Sequence, residues 1–234
     1  MNTPLAIEVT GLTKSYRGRT ALDGLDLRLA PGQIVGLMGD NGSGKTTLLK
    51  ILAGVLAEWE GSVRVAGHAP GPESKATVSF LPDASFLPDA HRPADSIDLY
   101  ARFFDDFDPS RARSMVEFFG LPWDRTLKEM SKGMREKLQI SLAMSRRARV
   151  YLLDEPISGV DPASRDVILR GILSNFDDDA LLLISTHLIQ DVEQIVDSVL
   201  FLRAGSVLLH GGADELRAEH GMSLDALFRK VYTS

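Results

Sequence analysis

The first third of the chain alternates apolar and polar residues in short runs. Four of these runs have the composition and length of β-strands and are bounded by glycine or proline. Between the third and fourth runs, Leu48, Leu49 and Leu52 recur at helical spacing and predict a helix over residues 45–53. The four predicted strands are residues 7–9, 25–29, 34–38 and 62–65.

The middle of the chain, residues 83–147, has a different texture. Prolines recur through it and separate two segments with helical character, residues 96–104 and 111–119. Aromatic residues concentrate in the same stretch, and we expect them to form a small helical core rather than an aromatic ligand-binding box. They are Phe103, Phe104, Phe107, Phe118, Phe119 and Trp123.

The alternation of strands and helices returns after residue 149. Two continuous apolar runs are typical of parallel strands buried on both faces, and the segments that follow them predict helices. Two further runs flank the turn residues Ala204 and Gly205 and indicate a hairpin, after which two short helical segments follow. The predicted strands are residues 150–153, 181–184, 198–202 and 207–210, and the predicted longer helices are residues 162–174 and 188–196.

This order of elements indicates one α/β domain that contains a helical insertion. Strands that alternate with helices on both sides of the insertion favour a mostly parallel sheet. We therefore predict a core of residues 1–82 and 149–234 with a helical subdomain of residues 83–148, together a single unit over residues 1–234. A chain of 234 residues is long enough for one such domain and too short for a long multidomain machine.

Composition narrows the classes of function. The chain has 26 lysines and arginines against 32 aspartates and glutamates, and the formal net charge of −6 disfavours non-specific binding of nucleic acid. Its lack of cysteine excludes disulfides, thiolate metal sites and cysteine nucleophiles. No apolar run approaches the roughly 18 residues of a membrane-spanning helix, and no secretory signal is visible. We expect an intracellular protein without a transmembrane segment.

Residues 39–46 read GDNGSGKT and match the phosphate-binding pattern G-x-x-x-x-G-K-[ST]. A predicted strand enters this segment and a predicted helix leaves it. Glycines let the backbone approach phosphate, and the positive end of the helix dipole points to the same place. Lys45 is predicted to contact the β- and γ-phosphates, and the Thr46 hydroxyl to bind Mg²⁺. The other predicted nucleotide-binding residues here are Gly39, Asn41, Gly42, Ser43, Gly44 and Thr47.

Two carboxylates end the apolar run at residues 150–155, which reads VYLLDE. At the carboxyl end of its strand, Asp154 is placed to bind Mg²⁺ directly or through water, and Glu155 to act as the general base for the attacking water. The alternative is an ordinary acidic turn after a strand. The phosphate-binding loop about a hundred residues earlier favours the catalytic interpretation.

These motifs, with four others, resemble the ATP-binding subunits of ABC transporters over nearly the whole chain. MSKGM at residues 130–134 is similar to the family's signature, usually LSGGQ, and ISGVD at residues 157–161 resembles its D-loop. The run LLLIS leads to Thr186 and His187 and resembles the switch-histidine segment, and Tyr16 matches the aromatic residue that stacks on adenine. The resemblance implies a P-loop NTPase core of the ABC type, with an antiparallel β subdomain and an inserted α-helical subdomain, that binds ATP and Mg²⁺.

The signature segment is also a predicted helix start. Ser131 is a predicted N-cap for a helix over residues 132–147, whose first N–H groups carry a partial positive charge suited to a γ-phosphate. Arg146 and Arg147 suit the negative end of the same helix. The resemblance implies that Ser131 and Gly133 face the phosphate-binding loop of a second chain, identical or paralogous. Two ATP molecules would then lie between two subunits.

Several further roles rest on the resemblance. Asp161 is a predicted cap of the next helix, and its loop is implied to cross the dimer interface. His187 is implied to contact the γ-phosphate and to hold the attacking water, which makes it a predicted catalytic residue with Glu155 and Lys45. Exposed tyrosines near turns are common, so stacking by Tyr16 rests mainly on the resemblance. Ordinary structural roles are expected for His68, His91, His210 and His220.

The sequence departs from the family pattern at two places. Asp83 stands where the family usually has Gln, and because a carboxylate still accepts a hydrogen bond from metal-bound water, we expect it to keep a Mg²⁺-linked sensing role with altered geometry. In the signature, Lys132 replaces Gly and Met134 replaces Gln. Lys132 either points outward as a solvated charge or adds a cation near the γ-phosphate. A similar S-K-G-M signature occurs in a branch of small bacterial transporter ATPases linked to peptide-antibiotic and drug export.

The resemblance implies an ATP-hydrolysing motor subunit at the cytoplasmic face of the cell membrane. ATP binding would close the dimer and drive transport, with export favoured, by separate membrane-spanning permease subunits docked in a groove lined by residues 83–94. One alternative is a soluble ABC ATPase that acts on DNA or ribosomes; the acidic charge and the lack of a coiled-coil or zinc insertion argue against it, and no nucleic-acid partner is expected. The other is a nucleotide-dependent switch with little hydrolysis, against which Glu155 argues.

Overall fold

The computed structural model describes residues 4–233, without the side chain of residue 233, and within that range it contains two β-sheets and a set of helices. The strands are β1 (Ile7–Tyr16), β2 (Arg19–Leu29), β3 (Gln33–Met38), β4 (Glu60–Val65), β5 (Val78–Leu81), β6 (Val150–Asp154), β7 (Leu181–Thr186), β8 (Ser198–Arg203) and β9 (Ser206–Gly212). The helices are α1 (Lys45–Leu52), α2 (Pro72–Thr77), α3 (Pro93–Phe103), α4 (Pro109–Phe118), α5 (Lys132–Met144), α6 (Pro162–Leu173), α7 (Ile189–Val192), α8 (Ala213–His220) and α9 (Leu224–Thr233), with a 3₁₀ turn at Leu127–Glu129.

A six-stranded sheet forms the centre of the molecule, with strand order β5-β6-β7-β3-β8-β9. Its neighbouring strands are parallel except for the β8–β9 hairpin, which is antiparallel as predicted. The pairing aligns Met38 with Thr186 and Asp154 with Ser185, so the carboxyl ends of β3, β7 and β6 lie side by side. This edge of an open parallel sheet is where ligands bind. The predicted α/β fold is confirmed.

A second, antiparallel sheet has the order β2-β1-β4 and packs over α1. Alternate residues of these strands, among them Ile7, Val9 and Leu27, are buried in a core shared with Leu48 and Leu49 of α1. The turn between β1 and β2 carries Tyr16 to the same side as the β3–α1 loop, since both contribute to one cavity. The antiparallel sheet thus places an aromatic side chain beside the phosphate-binding segment.

Helices α3, α4 and α5 pack against one another, and their apolar faces join the larger core. The expectation of one aromatic core holds for Phe107 and Phe119, which are buried, and for Phe104, which is partly buried. It is wrong for three others, because these stand on the outer side of the amphipathic helices or in the loop that follows. Phe103, Phe118 and Trp123 are 74%, 54% and 38% exposed. Within residues 4–233, no helix is both long and apolar enough to cross a membrane.

Three helices differ from the sequence pattern. The short α2 was not predicted, and α7 covers four residues instead of 188–196. After α7 the chain turns toward β3, where the Asp197 carboxylate accepts a hydrogen bond from the N–H of Ile34 at 2.7 Å. Helix α5 ends at Met144, three residues before the predicted end, with Ser145 as its C-cap.

Arg146 directly follows the C-cap of α5, but its guanidinium bonds to groups outside this helix instead of to the last carbonyl oxygens of α5. The side chain is 4% exposed, and its guanidinium donates to both carboxylate oxygens of Asp106 at 2.9 and 3.1 Å. It also donates to the carbonyl oxygens of Val78 and Ala76 at 2.6 and 3.1 Å and lies 4.1 Å from the ring centroid of Phe104. Arg146 therefore ties the helical layer to the start of β5.

Replacing Arg146 with alanine is expected to lower the free energy of unfolding by about 2–3 kcal/mol, because the Asp106 carboxylate and two carbonyl oxygens lose their partner. Partial exposure of Asp106 keeps the loss below that of a fully buried pair. Arg147→Ala is the matched control: this guanidinium is 73% exposed and pairs with Asp108 at 3.2 Å, so we expect a loss of about 1 kcal/mol or less. Urea unfolding measures both, and equal losses would contradict the prediction.

Candidate nucleotide-binding and hydrolysis site

The segment of residues 39–46 forms the loop between β3 and α1, with Lys45 as the first residue of the helix. The Lys45 side chain is 6% exposed, and its ammonium donates to the carbonyl oxygens of Gly39 at 2.6 Å and Asp40 at 3.2 Å. It lies 3.8 Å from Oε1 of Glu155. Burial lowers the pKa of Lys45, while the negative charge of Glu155 opposes the shift. The loop thus holds a desolvated cation in place.

A cavity of about 390 Å³ opens in front of this loop, a size suited to a small ligand such as a nucleotide. Gly44 allows the close approach that shapes it: its φ is 111°, and a Cβ there would lie 2.6 Å from the carbonyl oxygen of Ala21. Gly39 and Ser43 do not line the cavity. The predicted residues that do are Tyr16, Asn41, Gly42, Gly44, Lys45, Thr46, Thr47, Asp83 and Glu155.

Asp154 ends β6 and is 1% exposed. Its Oδ1 accepts a hydrogen bond from the hydroxyl of Ser185 at 2.6 Å, whereas its Oδ2 is buried without a hydrogen-bond partner among the described residues. A buried carboxylate oxygen without a partner is costly in a folded protein unless a cation or water occupies the site. The donor set therefore fits Mg²⁺, which prefers oxygen ligands.

Glu155 follows with a left-handed backbone, φ 51°, which is uncommon for a residue with a side chain and recurs at functional sites. Ser185 holds this conformation, since its carbonyl and hydroxyl oxygens both accept from the N–H of Glu155 at 3.1 Å. The Glu155 carboxylate then lies between two groups. Its Oε1 faces the ammonium of Lys45 at 3.8 Å, and its Oε2 lies 2.9 Å from Nδ1 of His187.

The three predicted catalytic residues are thus in contact within one chain. His187 is 44% exposed at the end of β7, which pairs with β6 and so delivers it beside Glu155. Asp83 and Tyr16 stand at the rim of the cavity, and Tyr16 is 44% exposed. His187 and Asp154 do not line this cavity, and neither do the four other histidines, whose expected structural roles stay predictions.

Ser131 and Gly133 do not line this cavity either. Ser131 caps α5 as predicted, with its Oγ accepting from the N–H of Met134 at 3.2 Å.

Lys132 is 64% exposed and pairs with Glu136 one turn along the helix at 3.5 Å. Of the two arrangements predicted for Lys132, the structure therefore has the one in which it points outward as a solvated charge. Burial raises the pKa of Glu136, and Lys132 opposes the shift. The Lys132 and Glu136 side chains both lie against Gly159, so α5 contacts the loop at residues 157–161.

Asp161 caps α6 as predicted, because its carboxylate accepts from the N–H of Ser164 at 3.0 Å.

The sequence pattern missed two residues of the site. Ser185 supports both carboxylates, and its only sequence signal is its position at the end of an apolar strand. Arg19 lines the cavity, and its Nη2 lies 3.6 Å from the position that a Cβ on Gly42 would occupy. The basic run RGR, which follows Tyr16 in the sequence, is the signal that could have identified Arg19.

The strand–loop–helix around a buried lysine, with carboxylates at neighbouring strand ends, defines a P-loop nucleotide-binding protein. Residues 22–158 match a family model described as ABC transporter. The chain is 33% identical to a daunorubicin resistance ATP-binding protein of Streptomyces coeruleorubidus, over 97% of this chain and 74% of that protein. It is 30% identical to the Nod factor export ATP-binding protein I of Paraburkholderia xenovorans, over 91% and 73%.

A solved structure of the ATP-binding subunit of an ABC transporter superposes with a TM-score of 0.87 at 26% identity, over 98% of this chain and 100% of that one. The chain therefore belongs to the ABC transporter family as an ATP-binding subunit, and it is an ATPase.

Proposed function

We propose that this chain is the motor subunit of an ABC exporter, which hydrolyses ATP to drive transport by separate membrane-spanning subunits. The observation that carries the hydrolytic part is the position of Glu155, whose carboxylate contacts His187 at 2.9 Å and faces Lys45 at 3.8 Å at the wall of the cavity. A carboxylate beside a phosphate-binding cation is arranged for activating water. This carboxylate argues against a nucleotide-dependent switch with little hydrolysis.

The residues at and beside the cavity divide the proposed tasks. The loop N–H groups and Lys45 bind the β- and γ-phosphates, and Tyr16 stacks on the adenine. Asp154 Oδ2 and the Thr46 hydroxyl would hold Mg²⁺, with the Asp83 carboxylate as a further acceptor nearby, and the ion would supply neutralisation of charge on the phosphates. Glu155 accepts the proton of the attacking water, and His187 orients Glu155 and the γ-phosphate.

The proposed working unit is a dimer. Ser131 and Gly133 lie at the start of α5, where unpaired N–H groups and the helix dipole favour an anion. They do not line the cavity of their own chain. They are therefore available to a γ-phosphate held by a second subunit, either identical or a paralogue, and each active site would be completed by both chains.

Export, membrane-spanning partners and a place at the cytoplasmic face of the membrane are proposed from similarity. Two relatives are a daunorubicin resistance ATP-binding protein and a Nod factor export ATP-binding protein. We further propose that residues 83–148 act as a helical subdomain on a core of residues 1–82 and 149–234, with permease docking near residues 83–94. The outermost residues of this unit, 1–3 and 234, lie outside the described residues.

The dimer is tested with Glu155→Gln, which we expect to hold ATP without hydrolysing it. Size-exclusion chromatography should give a doubled apparent mass with ATP and a monomer without it. Adding Ser131→Arg should abolish the doubling while ATP still binds, because a long charged side chain would block the capping position. A dimer that forms equally without ATP, or with Ser131→Arg, would contradict the proposed arrangement.

Affinity purification from detergent-solubilised native membranes tests the transport role. The expected partner is a protein with several apolar segments of about 20 residues, each long enough to span a bilayer. Recovery of ribosomes or DNA instead would favour the alternative, a soluble ABC ATPase that does not act in transport.

A further inference from the structure

Tyr232 on α9 reaches the phosphate-binding loop from outside the cavity. Its hydroxyl donates to the carbonyl oxygen of Leu202, at the end of β8, and accepts a hydrogen bond from the N–H of Asp40 at 3.3 Å. Tyr232 does not line the cavity in front of the loop. One hydroxyl group thus links three separate parts of the fold: a helix, the end of a strand, and the second residue of the loop.

The start of the loop is closely fitted to this hydroxyl. A Cβ on Gly39 would lie 3.0 Å from the Tyr232 oxygen and 2.5 Å from Ser43 Oγ, and it would collide with the carbonyl oxygen of Leu202. The carbonyl oxygen of Leu202 and Ser43 Oγ thus exclude a side chain at residue 39, and Tyr232 lies in close contact with the same backbone. A phenol is protonated at neutral pH and so keeps its donor, and burial raises the pKa of Tyr232 further.

The ring of Tyr232 is held by contacts that do not involve its hydroxyl. Its centroid lies 4.1 Å from that of Phe228, which in turn lies edge-on to Phe201 of β8 at 5.2 Å. The guanidinium of Arg203 lies 5.6 Å from the Tyr232 ring centroid. Removal of the hydroxyl alone therefore leaves the packing of α9 in place, and this makes the role of the hydroxyl separable.

We propose that Tyr232 is a positioning residue for ATP binding, acting through the backbone of Gly39 and Asp40. These two residues supply the carbonyl oxygens that hold the ammonium of Lys45. Fixing their backbone from behind prepares both the cation and the loop N–H groups for the phosphates before ATP arrives. This inference rests on the proposed role of residues 39–46 in binding phosphate.

The test is Tyr232→Phe, which removes one hydroxyl and keeps the ring. Because the loop binds the phosphates in the ground state and in the transition state alike, we expect KM for ATP and the Kd for ADP to rise about five-fold, with kcat unchanged. Tyr232 is only partly buried, so water can replace its hydroxyl, and the urea midpoint should fall less than it does when a fully buried tyrosine loses its hydroxyl. Steady-state kinetics and calorimetry measure these quantities.

Tyr151→Phe is the matched control. The hydroxyl of Tyr151 also donates to a backbone carbonyl oxygen, that of Arg146, at 2.6 Å, but it lies in β6 away from the loop. We expect this variant to lose stability and keep its KM. An unchanged KM in Tyr232→Phe, or an equal rise in both variants, would overturn the positioning role. If the loop itself does not bind phosphate, Lys45→Ala will also leave ATP binding intact, so the two failures are distinguishable.

Discussion

Glu155→Gln is expected to reduce ATP turnover by about 10²–10⁴-fold, the usual contribution of a positioned general base. The amide has the size of the carboxylate and keeps a hydrogen-bonding oxygen, but it cannot accept the proton of the attacking water. The carboxylate is 12% exposed and held between Lys45 and His187. Its replacement therefore removes a fixed base rather than a mobile surface charge. Phosphate release under saturating ATP measures the effect.

Binding and folding should survive this substitution. Lys45 keeps the carbonyl oxygens of Gly39 and Asp40 as partners, so calorimetry should find an ATP affinity within a few-fold of the unsubstituted protein. The matched control is Glu193→Gln, a partly buried glutamate at the end of α7 whose carboxylate accepts from the N–H of Asp225 and does not line the cavity. We expect it to keep turnover within a few-fold. Turnover above one tenth of normal in Glu155→Gln would exclude Glu155 as the base.

The sequence pattern predicted the parallel sheet well because its strands are buried on both faces. The runs 150–153 and 181–184 contain only apolar residues and tyrosine. The observed strands β6 and β7 differ from these predicted strands only at their carboxyl ends. The observed strands extend further, through Asp154, Ser185 and Thr186, whose polar side chains end the apolar pattern. Those added residues belong to the candidate site. Local hydropathy is therefore least informative where the strands carry the chemistry.

The antiparallel sheet was predicted less completely, since β1 extends from residue 7 to residue 16 and only residues 7–9 were predicted. Its later part faces solvent on alternate positions and contains polar residues, so pairing with β2 rather than burial maintains the strand. The same reason accounts for the wrong end of α5. Arg146 leaves the helix to satisfy partners at Asp106 and at the start of β5, and these contacts span 40 or more residues.

The candidate site divides in the same way. Lys45, Asp154 and Glu155 were predicted because local motifs with a known chemical role contain them. Ser185 and Tyr232 were missed because their roles depend on pairing between distant segments: the bond from Ser185 to Asp154 spans 31 residues and that from Asp40 to Tyr232 spans 192. A motif identifies the groups that meet the ligand, whereas the groups that hold them are determined by the tertiary fold.

Lys45→Ala is expected to weaken ATP binding by about 10²-fold or more. Hydrogen bonds to charged groups contribute about 1.5–3 kcal/mol each, and the ammonium is placed to make more than one of them to the phosphates. Burial has already removed much of its water, since the side chain is 6% exposed, and its bonds to Gly39 and Asp40 fix its position. Little further desolvation or ordering is then required when ATP binds. Calorimetric titration measures the affinity.

Lys50→Ala provides the matched control, because Lys50 is exposed on the same helix and does not line the cavity. It removes an equal charge from α1, so a general electrostatic effect would weaken ATP binding similarly in both variants. A specific contact predicts normal affinity for Lys50→Ala, and circular dichroism should find both variants folded. ATP affinity in Lys45→Ala within ten-fold of normal would mean that the loop at residues 39–46 is not the phosphate site. The roles assigned to Glu155 and Tyr232 would then fail with it, since both depend on where the phosphates lie.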